Sequence, residues 1–213
     1  MNDDIAVAPP AVIAFDVDGV LVRARDEQGL YWHQELSRDF GIATDEVELF
    51  FQNDWDACIV GDADLYDVLP PYLERWGYAS GVDDFLDYWF EHDCRLDGDL
   101  LAAIDRLSPA SRLVIATNQD RHRTRYLWNE LDLRSRFERI FSSSDLGVRK
   151  PDHGFWHRIT TALDPGNPGD ILLVDDSEAN VAAARDFGWR AIHYRGRSDL
   201  DGLLASTWSR FIR

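Results

Sequence analysis

Three short apolar runs of this 213-residue chain end in residues able to do phosphate or metal chemistry. The run AVIAFD (Ala11 to Asp16) continues as Val17-Asp18-Gly19, RLVIAT (Arg112 to Thr117) continues as Asn118, and ILLVD (Ile171 to Asp175) continues as Asp176-Ser177. A fourth run, RIFSS (Arg139 to Ser143), is followed by a loop that carries Lys150 just before Pro151. Four carboxylates, a hydroxyl, a carboxamide and an ammonium are thus offered at strand ends. Four carboxylates a few ångströms apart repel one another unless a cation lies among them, and Mg²⁺ with its preference for oxygen ligands is the ordinary solution. Helix capping explains any one of these acids, but not the DxD spacing together with the single lysine of the chain. That lysine stands among 21 arginines, and a compact ammonium beside a carboxylate is poorly replaced by a broad guanidinium fork.

The positioning elements follow from apolar periodicity. Continuous Val- and Ile-rich runs of four to six residues read as strands buried on both faces, and RAIHY (Arg190 to Tyr194) adds a fifth. Between the later runs, Tyr126, Leu127 and Leu131, then Phe155, Ile159 and Leu163, then Val181, Ala184 and Phe187 before Gly188 have helical spacing. Strand alternating with helix predicts an α/β fold: a Rossmann-like, doubly wound, mainly parallel sheet, whose ligands sit at the carboxyl ends of the strands. Leu21 to Leu100 breaks the rhythm, with helix-like stretches at Tyr31 to Phe40, Asp62 to Trp76 and Val82 to Glu91 and no evident strand. The predicted organisation is a core of residues 1–19 and 101–213, with an inserted α-helical unit over residues 20–100.

Composition limits the partners. The formal charge is −17, and residues 20–100 hold 20 acids against five bases, whereas residues 101–213 hold 15 acids and 17 bases. A nucleic-acid or anionic-membrane surface needs a basic face, so neither partner is expected. Cys58 and Cys94 form no CxxC pair, which fits a reducing cytoplasm, and no long apolar stretch marks a signal or a span. A monomer and a homodimer are both compatible with the sequence.

FDVDGVL (Phe15 to Leu21), ATN (Ala116 to Asn118), GVRKPD (Gly147 to Asp152) and VDDSEAN (Val174 to Asn180) resemble, in order and spacing, the four motifs of the haloacid dehalogenase superfamily. The resemblance implies that Asp16 is the nucleophile forming an aspartyl-phosphate and that Asp18 is the general acid and base, its main-chain carbonyl a metal ligand. It implies that Thr117, Asn118 and Lys150 meet the phosphate and that Asp16, Asp176 and Asp175 hold Mg²⁺, with Asp176 favoured as the direct ligand and Asn180 in support. The acid at position 18 favours phosphoryl transfer to water over attack on carbon. The insertion corresponds to a helical cap acting as a lid. The implied function is a phosphatase of a small phosphorylated metabolite, a sugar phosphate being one candidate. A phosphotransferase or mutase, and a binding or regulatory module, are the alternatives.

Other candidates carry weaker signals. Trp32, His33 and Trp55 are placed either in a pocket for the leaving group or in a helical core, the more common fate of aromatic residues. His153 and His157 share one helix face but lack the HExxH glutamate. Arg121, His122 and Arg123 follow the second motif, either near a substrate phosphate or at a solvated helix start.

Overall fold

The computed structural model describes residues 9–23, 30–105, 111–196 and 198. In chain order, β1 (Val12–Phe15) leads through β2 (Val22–Arg23) into five helices. These are α1 (Trp32–Phe40), α2 (Thr44–Asn53), α3 (Trp55–Ile59), α4 (Leu65–Trp76) and α5 (Gly81–Asp93). The chain returns through β3 (Arg95–Leu96) and α6 (Gly98–Ile104) to β4 (Arg112–Thr117), α7 (Arg121–Arg125) and β5 (Arg139–Ser142). It then forms α8 (Ser143–Leu146), α9 (His153–Leu163), β6 (Ile171–Asp175), α10 (Glu178–Phe187) and β7 (Arg190–His193).

Five of the strands form one parallel sheet in the order β5-β4-β1-β6-β7. Phe15 pairs with Ile115 on one side and Val174 on the other, so Asp16, Thr117 and Asp175 emerge along one edge. Alternate residues of each strand feed opposite faces. Ile13, Phe15, Ile115 and Val174 belong to one apolar cluster with Ala103 and Ile104 of α6 and with Leu127 and Phe137, which continues into the side chains of α1–α5. Val12, Ala14, Val114 and Leu173 cluster instead with Phe155 and Trp156 of α9 and Val181 of α10. This is the doubly wound α/β arrangement predicted from the strand and helix rhythm.

The inserted helices are fastened where they leave and rejoin the sheet. Val22 pairs with Leu96 and Arg23 with Arg95, antiparallel, so β2 and β3 form a two-stranded ribbon. This corrects the expectation of no strand between residues 21 and 100; two-residue strands are too short to show a periodicity. Helices α2 and α3 also escaped the pattern, because Phe50, Phe51 and Trp55 crowd together without a clean apolar stripe. Pro70 and Pro71 lie inside α4, which survives because its buried stripe of Leu65, Leu69 and Leu73 supplies the packing energy. The helical expectation at Tyr126 to Leu131 is met by a π-helical turn over Tyr126–Glu130 that extends α7. No helix among the described residues is long and apolar enough to cross a membrane.

Candidate active site

The strand-end carboxylates converge. Asp16, Asp175 and Asp176 each bring an oxygen within 4.8 Å of the others, the one group of this kind among the described residues. Lys150 reaches into it: its Nζ lies 2.9 Å from Asp16 Oδ1 and 2.7 Å from Asp175 Oδ2, and donates to the Ala116 carbonyl at 3.0 Å. The lysine side chain is 1% exposed, so three oxygens replace the water it has lost.

The loop holding Lys150 is set by Asn118. Its Oδ1 accepts from the Lys150 main-chain N–H at 2.8 Å and its Nδ2 donates to the Lys150 carbonyl at 3.1 Å. The carboxamide is therefore committed to the loop rather than directed at a phosphate. Thr117 is buried at the end of β4, where its hydroxyl accepts from Gln119 Nε2 at 3.4 Å.

The two adjacent acids have different surroundings. Asp175 is fully buried and its carboxylate accepts from Lys150, from the Asn180 carboxamide at 3.0 Å and from the Ser177 main-chain N–H at 2.9 Å. Ser177 is the N-cap of α10, its hydroxyl accepting from Asn180, which fixes the helix start that presents that carboxamide. Asp176 is exposed and lies over Gly19, whose φ of +73° and missing side chain leave it room; a Cβ there would stand 2.1 Å from Asp176 Oδ2.

Burial raises the Asp16 carboxyl to about 7, with Lys150 pulling it down and the Asp175 charge pushing it up. Asp176 is raised by partial burial and by the charge of Asp175. Crowded oxygens whose negative charge is disfavoured, one carboxylate of them exposed, form a donor set suited to a hard divalent cation.

Asp18 stands apart from this group. Arg123 grips it with two parallel bonds, Nη2 to Oδ1 at 2.7 Å and Nη1 to Oδ2 at 2.8 Å, and Gln119 Nε2 donates to Oδ2 at 2.6 Å. The Asp18 side chain is half exposed, and although partial desolvation acts to raise its carboxyl, Arg123 and Gln119 outweigh that and hold the acid below its ordinary value. Gln119 was not singled out in the sequence. It lies in the turn between Asn118 and Asp120, the N-cap of α7, and its place beside the second motif is the one signal that points to it.

The remaining candidates are placed elsewhere. Arg121 donates to the Gly61 carbonyl at 3.0 Å and pairs with Asp64, and His122 Nε2 lies 2.7 Å from Asp64 Oδ1. These side chains therefore join the core to the start of α4, and Arg149 with Asp56 and Ser143 with the Ile59 carbonyl make further links to the helices. Trp32 stacks on Trp89 with centroids 5.0 Å apart, Trp55 packs against Phe51 at 5.3 Å, and His33 stacks on Tyr31 at 5.5 Å. For the two tryptophans this is helical core. His153 and His157 are exposed on α9, outside the acidic group. A cleft of about 530 Å³, bounded by Gly19, Val22, Arg23, Asp97, Asp176 and Tyr194, opens beside the site.

Comparison with known proteins places this geometry. A family model described as haloacid dehalogenase-like hydrolase matches residues 10–188. Among curated proteins, drimenol cyclase drtB of Aspergillus calidoustus is 32% identical over 71 residues, 33% of this chain and only 13% of its own length. Among solved structures, a HAD family enzyme of Bacteroides thetaiotaomicron, in complex with magnesium and inorganic phosphate, superposes with a TM-score of 0.71 at 18% identity. That match covers 96% of this chain and 100% of the other. The L-2-haloacid dehalogenase of Xanthobacter autotrophicus has a TM-score of 0.63 at 17% identity, covering 96% and 84%. At such identities the structural likenesses concern the fold, while the sequence model spans all four motifs: the chain belongs to the haloacid dehalogenase-like hydrolases.

Proposed function

We propose that the protein is a Mg²⁺-dependent phosphatase of a small phosphorylated metabolite, working through a phosphorylated Asp16. The observation that carries this reading is the pairing of a buried Asp16, held by Lys150, with a second acid, Asp18, oriented separately by Arg123 and Gln119. A nucleophile alone serves attack on carbon or phosphorus, but a dedicated proton carrier serves a poor oxygen leaving group and then water. The magnesium and phosphate bound by the Bacteroides enzyme of the same fold add support.

In this reading Asp16 attacks phosphorus, the bond to the leaving oxygen breaks, and Asp18 supplies the proton that oxygen needs. That step requires Asp18 to give up bonds to Arg123 and Gln119 as it is protonated; held by both, it is the charged base that receives the proton of water. Water then attacks the phosphoryl group, gives its proton to Asp18 and frees phosphate, restoring Asp16. Lys150 keeps Asp16 oriented and balances charge on the transferring group, while Thr117 and the main chain at Asn118 offer donors to the phosphoryl oxygens. Asp16, Asp176 and the main-chain carbonyl of Asp18 would hold Mg²⁺, with Asp175 behind them; the ion supplies charge neutralisation at the phosphoryl group. Helices α1–α5, over the strand ends, act as the lid that excludes bulk water.

The test is phosphate release from an aryl phosphate and a panel of phosphorylated sugars and other small metabolites. Activity is expected to fall at least about 10²-fold in EDTA and to return with Mg²⁺; release that ignores EDTA would refute the metal-dependent reading. A phosphotransferase would instead show phosphate appearing on an added sugar acceptor in balance with substrate lost. Gly19→Ala is expected to displace the Asp176 carboxylate and weaken Mg²⁺ binding by about 10-fold or more, read by calorimetric titration. Unchanged affinity would exclude Asp176 from the metal site.

A further inference from the structure

Arg123 does more than neutralise a neighbour. It is buried, and its guanidinium donors reach two parts of the chain at once. Toward the loop after β1, Nη1 and Nη2 hold both oxygens of Asp18, and Nη1 also donates to Gln119 Oε1 at 2.7 Å, which fixes the carboxamide that bonds Asp18. Toward the inserted helices, Nη2 lies 3.1 Å from Asp93 Oδ2 and 3.5 Å from the Asp93 carbonyl, and Nε lies 3.2 Å from Cys94 Sγ. Asp93 is the last residue of α5, and β3, the strand that leads the chain back to the core, begins two residues later.

We propose that Arg123 is a positioning residue that orients Asp18 for activation of water and couples that orientation to the end of α5. The inference rests on the phosphatase reading and adds to it a link between the inserted helices and the proton carrier. A guanidinium has a rigid planar fork, so bonds on one edge fix the direction of those on the other. A shift of the α5 terminus therefore moves the fork, and Asp18 with it. A lysine has the charge but not the geometry: it cannot hold both oxygens of Asp18 and the Asp93 side together. Gln119 is the second strut, since it accepts from Arg123 and donates to Asp18.

The experiment uses p-nitrophenyl phosphate with saturating Mg²⁺, comparing wild type with Arg123→Lys, Gln119→Met and Asp93→Asn. Its leaving group departs without a proton, so phosphorylation of Asp16 does not need Asp18, whereas hydrolysis of the phosphoenzyme does. In Arg123→Lys and Gln119→Met, turnover is expected to fall by at least about 10-fold. The rate of the first p-nitrophenol release is expected to stay near wild type, and the fraction of enzyme trapped as phosphoenzyme by acid quench to rise. Asp93→Asn is expected to change the same two quantities in the same directions, by less. A proportional fall of both rates with no trapped phosphoenzyme, in the variants that melt cooperatively, would reduce Arg123 to a structural role and overturn the proposal. Wild-type kinetics in Asp93→Asn would overturn the coupling to α5. Absence of Mg²⁺-dependent release in the wild type would instead refute the phosphatase reading itself, so the two failures are distinct.

Discussion

Asp16→Asn is expected to lower phosphate release by at least about 10³-fold while the protein still folds. The amide keeps an oxygen that can accept from Lys150 and from the Val17 main-chain N–H, bonds that Asp16 Oδ1 makes at 2.9 and 2.7 Å. What it lacks is the charge and nucleophilicity needed to bond to phosphorus. Loss of activity with cooperative melting near the wild-type temperature is the expected combination. Substantial residual activity would assign the nucleophile elsewhere. Because burial raises Asp16 to about 7, the attacking carboxylate is gained as pH rises toward neutrality in the metal-free protein. Mg²⁺ favours the charged form, so the rising limb of the pH profile of phosphoenzyme formation should shift to lower pH as Mg²⁺ increases.

The second large effect is expected at Lys150. Its ammonium is sealed in with Asp16 and Asp175, and burial lowers its acid constant's pKa while those two charges more than restore it, leaving it above the ordinary lysine value. Lys150→Met keeps much of the side-chain volume but leaves two buried carboxylates without their cation. Removing one partner of a buried charge pair costs about 3–5 kcal/mol. For a chain of this length that corresponds to a fall in melting temperature of roughly 6–20 °C. The sign of its pH dependence is fixed: Asp16, already raised by burial, loses the cation that pulls it down and binds its proton still more readily in the folded than in the unfolded state. Folded Lys150→Met therefore gains stability relative to wild type as pH falls, and loses it as pH rises through the raised Asp16 value. Thermal melts in EDTA at pH 5 and pH 8 read this directly. A deficit equal at both values would show that the lysine acts through packing rather than charge.

The convergence of Asp16 and Asp175 was evident from the amino-acid order because strand ends in a parallel sheet must share an edge, whereas Lys150 was found as the single lysine, in a loop. Once AVIAFD and ILLVD are read as strands buried on both faces, Asp16 and Asp175 fall at the same level, as the pairing of Phe15 with Val174 shows. The helical stretch at Asp62 to Trp76 was also recognisable, although it begins at Leu65. The β2–β3 ribbon was not, since its contacts join residues more than 70 positions apart and each strand has only two residues. Nor was the use of Arg123. A run of basic residues after the second motif reads as a phosphate contact or a wetted helix start. Only the folded chain shows that Arg121 and His122 turn to Asp64 while Arg123 turns inward to Asp18 and Asp93. The different surroundings of Asp175 and Asp176 likewise depend on Lys150 and Asn180, which reach Asp175 from two separate elements.

The acidity found in the sequence between residues 20 and 100 now has partial structural use. Asp56, Asp64 and Asp93, all within the inserted helices or at their caps, meet Arg149, Arg121 and Arg123 of the more basic core. Exposed pairs of this kind contribute little stability each, about 0–1 kcal/mol. They do set how the helices sit on the core, and the buried Arg123 pair carries that placement to Asp18.

The covalent intermediate on Asp16 is tested most directly by acid quench of the wild-type protein during turnover of a phosphate monoester with Mg²⁺, followed by mass spectrometry of its peptides. A phosphoryl group is expected on the peptide bearing Asp16, bound to that side chain, and absent when substrate is omitted. Phosphate release in steady turnover with no phosphoryl group on Asp16 at any quench time, or with the group on another residue, would contradict the mechanism.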